Sequence, residues 1–106
     1  MFKQVYSRGR SKASPYLVLY TLPNGSAQNR LGISVSRKVG KAVRRNRLKR
    51  LVREIYRLEE ANMQKGYDIV AVLRAAAGAL PRPRDYQEIH RSFIHLAGQA
   101  MLIMPM

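Results

Sequence analysis

Between Arg37 and Arg57 the chain places ten of its 20 Lys and Arg residues, and only one acid, Glu54, interrupts them. The ten are Arg37, Lys38, Lys41, Arg44, Arg45, Arg47, Lys49, Arg50, Arg53 and Arg57. A guanidinium fork meets phosphate oxygens bidentately or stacks on a base, whereas an ammonium acts as a point charge. The excess of Arg over Lys in this run therefore points to structured phosphate. A helix face that is only solvated would interleave Glu with Lys, and this one does not. Asn46 sits among the arginines and offers an amide to a base, a ribose or a metal-bound water. If about six to ten of these side chains neutralise phosphates, affinity falls roughly a thousand-fold to a hundred-thousand-fold between about 50 and 200 mM salt.

Aromatic residues give a second signal. Phe2, Tyr6, Tyr16 and Tyr20 are concentrated in the first twenty residues, among Lys3, Arg8, Arg10 and Lys12. Rings among cations can stack unpaired bases while the charges hold the backbone, and they can equally well be core. Composition does not choose between the two.

Protein-only catalysis finds no support. The chain has no cysteine, which removes thiol nucleophiles, thiolate metal sites and disulfides. His90 and His95 stand about 140° apart on a helix, so they do not share a face as metal ligands would. The acids Glu54, Glu59, Glu60, Asp68, Asp85 and Glu88 form no evident pair for acid/base work or a Mg²⁺ cage. Ser34 and Ser36 have no base in view, and Gly32 and Gly40 do not form a phosphate-binding loop. No residue is assigned a catalytic role.

These groups must be positioned by a small fold. With 106 residues, 46% of them hydrophobic, the chain supports one domain spanning 1–106, and its formal charge of +14 calls for a polyanionic partner. The N-terminus lacks the apolar run of a secretory signal and no stretch approaches a membrane span, so a cytoplasmic location and no membrane partner are expected. YLVLYTL (16–22) and RLGISVS (30–36) read as strands around a PNGSAQN hairpin loop, forming an antiparallel pair. The first would put Tyr16, Val18 and Tyr20 on one face and Leu17, Leu19 and Thr21 on the other. From Lys41 to about Asn62 the period becomes helical. Leu48, Leu51, Val52, Ile55 and Leu58 form a stripe about 120° wide, and Arg45, Asn46, Lys49, Arg50, Arg53 and Arg57 a separate arc of about 140°. YDIVAVLR (67–74) reads as an interior strand and AAAGALPRPR as a linker. Asp85 is expected to cap a final helix, with Glu88 completing a capping box and Ile89, Phe93, Leu96 and Ala97 buried. Residues 2–7 read as a short helix in which Phe2 and Tyr6 share a face. The sum is an α+β layer of helices on a small sheet.

The run RLGISVSRKVGKAVRRNRLKRLVREIY (30–56) resembles the signature of the bacterial ribonuclease P protein subunit. The motif residues are Gly40, Ala42, Val43, Arg45, Asn46, Arg47, Lys49 and Arg50, with Arg53 beyond them. FKQVYSRGRS, YLVLY and YDIVAVLR extend the resemblance over most of the chain. It implies a compact two-layer α/β sandwich, whose long helix joins parallel strands by a left-handed crossover, where general rules favour the right-handed one. It also implies a subunit of a ribonucleoprotein endoribonuclease. Its partners are the ribonuclease P RNA, which performs the Mg²⁺-dependent hydrolysis and chiefly binds the ion, and precursor tRNA, whose 5′ leader is removed.

Under this resemblance, Lys41, Arg44, Arg45, Asn46, Arg47, Lys49, Arg50, Arg53 and Arg57 would contact the RNA subunit, with Asn46 helping indirectly to organise metal. Phe2, Tyr6, Tyr20, Ser34, Ser36, Arg37 and Lys38 would line the cleft for the leader. Arg45 and Arg47, read as off the buried stripe, should be replaceable by Ala without unfolding. The chain departs from the family pattern by beginning inside the first helix and ending in the apolar MLIMPM, which would pack on the sheet or mediate self-association. The competing readings are a structural RNA-binding protein such as a ribosomal one, a major-groove DNA-binding helix, which lacks an accompanying motif, and a free-standing nuclease.

Overall fold

The structure, a computed structural model, describes residues 1–103. Its organising strand is YDIVAVL, β4 (Tyr67–Leu73), the run with the most continuous burial. A strand apolar on both faces belongs in the sheet interior, and β4 has neighbours on both edges. It pairs antiparallel with β2 (Leu17–Pro23) and parallel with β3 (Arg30–Val35). A fourth strand, β1 (Arg10–Ala13), pairs antiparallel with β2, giving the order β1-β2-β4-β3.

The antiparallel hairpin expected between 16–22 and 30–36 is not formed. β4 inserts between these strands, and the 24–29 loop spans two strand spacings, roughly 10 Å. The loop is tied to the start of β4: Asn24 N–H donates to the Gly66 carbonyl at 2.9 Å, and Tyr67 N–H donates to Asn29 Oδ1 at 2.8 Å. The true hairpin is β1–β2. Its first strand, RSKA, is exposed throughout and has no apolar alternation to announce it.

One face of the sheet carries the main core. Leu17 and Leu19 of β2 and Ile69, Ala71 and Leu73 of β4 meet two helices there, with Leu31, Ile33 and Val35 of β3 packed alongside. The first helix is α2 (Ala42–Glu59), continued by a 3₁₀ turn at Glu60–Asn62. It buries Leu48, Leu51, Val52 and Ile55 as expected, but Leu58 is 59% exposed and Tyr56 is buried instead. Both flank the stripe, on opposite margins, and the helix rolls toward Tyr56. The second is α4 (Arg84–Gln99), which buries Ile89, Phe93, Leu96 and Ala97. Fully burying each such Leu, Ile or Phe contributes about 1.5–3 kcal/mol.

Asp85 does not cap α4. Pro83 precedes the helix, no side chain caps it, and Asp85 is its second residue, fully buried. Part of the expected linker forms a short helix, α3 (Ala75–Gly78), seated so closely on the 3₁₀ turn Arg37–Val39 that a Cβ on Gly78 would stand 1.7 Å from the Val39 carbonyl oxygen. Of MLIMPM, Leu102 is fully buried and Ile103 bridges to Met63, and residues 104–106 lie outside the described segment.

The other face of the sheet carries α1 (Phe2–Arg8), the short helix read from the sequence. Alternation sends Tyr20 of β2, Val70 of β4 and Gly32 of β3 to this side, and the register sets them in one row across the sheet.

Candidate nucleic-acid interface

The start of α2 is electrostatically unfavourable on its own. Lys41 precedes it in extended conformation, no side chain caps it, and its first turn contains no acid. Cations here oppose the helix dipole. The compensation comes from α4. Asp85 Oδ2 accepts hydrogen bonds from Arg44 Nη1 and Arg47 Nε, both at 2.8 Å. Its Oδ1 accepts from Arg47 Nη2 at 2.9 Å and from the Tyr86 N–H at 2.8 Å. The carboxylate is completely buried. The hydrogen bonds from Arg47, working against burial and aided by Arg44 and the Tyr86 N–H, hold its carboxyl down to about 2.

Arg44 is committed inward. Besides Asp85, it donates through Nε to the Gly78 carbonyl at 3.2 Å and through Nη2 to the carbonyls of Ala77, at 3.3 Å, and Leu80. It thereby supplies donors to the carbonyls of Gly78, which ends α3, and Leu80 just beyond it, and a further donor to that of Ala77, which also accepts from the Leu80 N–H at 3.3 Å. Arg47 is off the apolar stripe, as expected, yet it too is engaged, held by the buried Asp85 rather than free on the surface. Measured from Leu48, Arg44 falls at about −40° and Arg47 at about −100° around the helix, inside and beside the apolar stripe.

The remaining cations of α2 form an open arc. Among the described residues, Lys41, Arg45, Lys49, Arg50, Arg53 and Arg57 make no ion pair. Lys41, Asn46, Arg50, Arg53 and Arg57 are exposed, and Arg45 and Lys49 partly so. Arg45 Nε is shielded from solvent yet has no acceptor among the described residues.

Across the sheet, α1 lays an aromatic row over the Tyr20–Val70–Gly32 line. The Phe2 and Tyr6 rings are 6.2 Å apart, and Tyr6 meets Tyr20 edge-on at 4.9 Å. Val5, between them on α1, is fully buried and anchors the helix, while Phe2 and Tyr6 are 39% and 43% exposed. Phe2 sits on Gly32. From Gly32 the same face continues to Ser34, then to exposed Ser36 in extended conformation, and into the 3₁₀ turn carrying exposed Arg37 and Lys38. The structure thus brings Phe2, Tyr6, Tyr20, Ser34, Ser36, Arg37 and Lys38 onto one path that leads to the start of α2. Tyr16 packs against the main core instead.

Sequence reasoning missed one further pair on this face. Arg30 grips Asp68 with Nε at 2.7 Å and Nη2 at 2.6 Å, and Asn24 Nδ2 donates to the same carboxylate at 3.1 Å. Hydrogen bonding from Arg30 lowers the Asp68 pKa against the opposing effect of burial. The signal was available: an acid opening an interior strand requires a partner.

Among the described residues no group of three His, Asp or Glu is arranged to hold a metal ion, and no helix is long and apolar enough to cross a membrane. A basic helical arc and a row of rings on a small α+β sheet define an RNA-binding domain. The model of the family Ribonuclease P matches residues 1–100. The chain is 44% identical over 96% of its length to the ribonuclease P protein component of Natranaerobius thermophilus, covering 85% of that protein, and 48% identical over 93% to that of Clostridium botulinum strain Langeland, covering 86%. The ribonuclease P protein of Staphylococcus aureus superposes with a TM-score of 0.85 at 33% identity, over 96% of this chain and 90% of that one. That of Thermotoga maritima gives 0.81 at 37%, over 89% and 86%. The chain belongs to the ribonuclease P protein family: it is a protein component of the tRNA-processing ribonucleoprotein, part of an endoribonuclease complex with an RNA partner.

Proposed function

We propose that the open arc of α2 binds the catalytic ribonuclease P RNA, while the aromatic row and the Ser34–Lys38 path receive the single-stranded 5′ leader of precursor tRNA in the cytoplasm. The observation that carries this reading is the continuity of the two surfaces: Phe2, Tyr6 and Tyr20 lead through Ser34 and Ser36 to Arg37, Lys38 and the unpaired cations of α2. Stacking on such rings contributes about 1–3 kcal/mol per base and tolerates any sequence, as a variable leader requires. Backbone phosphates of the same strand then meet Arg37 and Lys38.

The donors on this chain do not fit a resident Mg²⁺. Its exposed basic surface offers guanidinium and ammonium groups with one amide, Asn46, and one carboxylate, Glu54, whereas Mg²⁺ takes a set of carboxylate, phosphate or water oxygens. The ion belongs to the RNA in this reading, and the RNA performs the hydrolysis. The protein contributes phosphate neutralisation between two polyanions, leader contacts that raise substrate affinity, and the Asn46 amide beside the arginines of α2.

Single-turnover cleavage of precursor tRNA by a bacterial ribonuclease P RNA at low millimolar Mg²⁺, with and without the protein, tests this. Strong stimulation at the mature 5′ end is expected. Folded protein that binds the RNA without stimulating cleavage would instead mark a structural RNA-binding role.

A further inference from the structure

Asp85 lies on α4, outside the basic motif, and none of the roles described above uses it. We infer that Asp85 is a positioning residue for RNA binding: it holds Arg47 along the side-on edge of its guanidinium and so presents the adjacent, end-on edge to a phosphate, while drawing Arg44 out of the interface. The inference rests on the RNA-binding reading of α2.

The stereochemistry is specific. A guanidinium carries five N–H donors in a rigid plane. Asp85 takes the Nε–H and one Nη2–H of Arg47, the side-on edge. Both Nη1 donors and the second Nη2 donor remain, and together they form the end-on fork suited to bidentate phosphate binding. The Arg47 side chain is 21% exposed, and its Nη1, which makes no hydrogen bond among the described residues, is not one of the solvent-shielded nitrogens, so this fork is reachable. Arg50, exposed and one turn further on, offers a second cation beside it. Arg44, by contrast, is bound by Asp85 and by three carbonyls and has little left to offer a ligand. One buried carboxylate therefore sorts adjacent arginines into an internal clamp and a presented fork.

Two simpler accounts give different signs. If Asp85 acted on RNA only through its charge, neutralising it would tighten binding to a polyanion. If it only docked α4 on α2, its loss would lower stability without changing the affinity of the folded protein. Positioning gives weaker binding by the folded protein, and through Arg47 alone.

The test is equilibrium binding of the full chain to a bacterial ribonuclease P RNA across a salt series, with thermal melts, for wild type, Asp85→Asn, Arg47→Lys and the double variant. The expected result is a loss of about five- to tenfold for Asp85→Asn, with the magnitude of the log–log salt slope reduced by about 1, as when a single phosphate contact is removed. Arg47→Lys should lose about as much, because an ammonium cannot serve both partners through fixed edges, and the double variant should lose no more than either. Equal or tighter binding by folded Asp85→Asn, or losses that multiply in the double variant, would overturn the inference. Should Asp85→Asn not fold, Arg47→Lys and Arg47→Ala decide, and unchanged affinity and slope in both would overturn it. Because affinity is read directly, wild type that binds without stimulating cleavage overturns the ribonuclease reading while leaving the Asp85 comparison standing. Wild type that does not bind overturns both.

Discussion

The Phe2 ring occupies the space beside Gly32 that a side chain would fill: Phe2 Cζ lies 2.6 Å from where a Cβ on Gly32 would stand. Glycine at this point of β3 is what lets the aromatic row reach across the sheet. Gly32→Ala should displace the ring rather than the strand, since the contact is with the far end of the partly exposed Phe2 side chain. Melting should then show a change of about 0.5 kcal/mol or less, while the preference for precursor over mature tRNA falls. A preserved preference would show that Phe2 does not touch the leader.

Tyr20 is the ring fixed in the sheet, with Tyr6 against its edge. Tyr20→Ala should weaken holoenzyme binding of precursor tRNA by about 1–3 kcal/mol, roughly 5- to 150-fold, with little effect on mature tRNA. Tyr20→Phe should keep most of the affinity. Equal losses for both tRNAs would remove Tyr20 from the leader path.

Arg44 and Arg45 are neighbours with opposite tasks, and alanine at each separates them. Arg44→Ala strands a buried carboxylate beside a single remaining arginine and takes the side-chain donor from the Gly78 and Leu80 carbonyls, so a loss of about 3 kcal/mol or more is expected in denaturant unfolding. Arg45→Ala should leave the unfolding midpoint nearly unchanged and weaken RNA binding, with the salt slope reduced by about 1.

Acid should act on the fold through Asp85 and Asp68. Both carboxyls have lower pKa values folded than unfolded, with Asp85 at about 2. Their stabilising effect is therefore complete above the unfolded carboxylate range, near pH 4, and is lost as pH falls through the folded values. Unfolding free energy should decline from about pH 5 toward pH 2. Asp85→Asn should be less stable at neutral pH and should show a shallower decline, as followed by denaturant titrations at several pH values.

Periodicity made the helices legible before the structure. α1 and the buried stripe of α4 follow directly from apolar spacing, as does most of α2. The insertion of β4 between β2 and β3 was not legible, because alternation reports which face a residue takes and not which strand lies beside it. β1 carries no apolar pattern at all. In the interface, the open arc of α2 stood apart on the helical wheel, but Arg44 and Arg47 were grouped with it by charge, although their angles placed them on and beside the apolar stripe. Their partner lies 38 residues beyond Arg47. There, the short-range expectation for an acid just before a helix, a cap, displaced the long-range one.

That separation also bears on how the chain is made. Synthesis runs from the N-terminus, so the whole basic run of α2 leaves the ribosome before the acid that settles its first turn. Until Asp85 follows, Arg44 and Arg47 lack the carboxylate that binds them both. The nascent chain thus passes through an interval in which its RNA-seeking helix is at its most positive and least organised. The emergence of α4 ends that interval, so the geometry of these arginines is set by a helix that follows them by some forty residues.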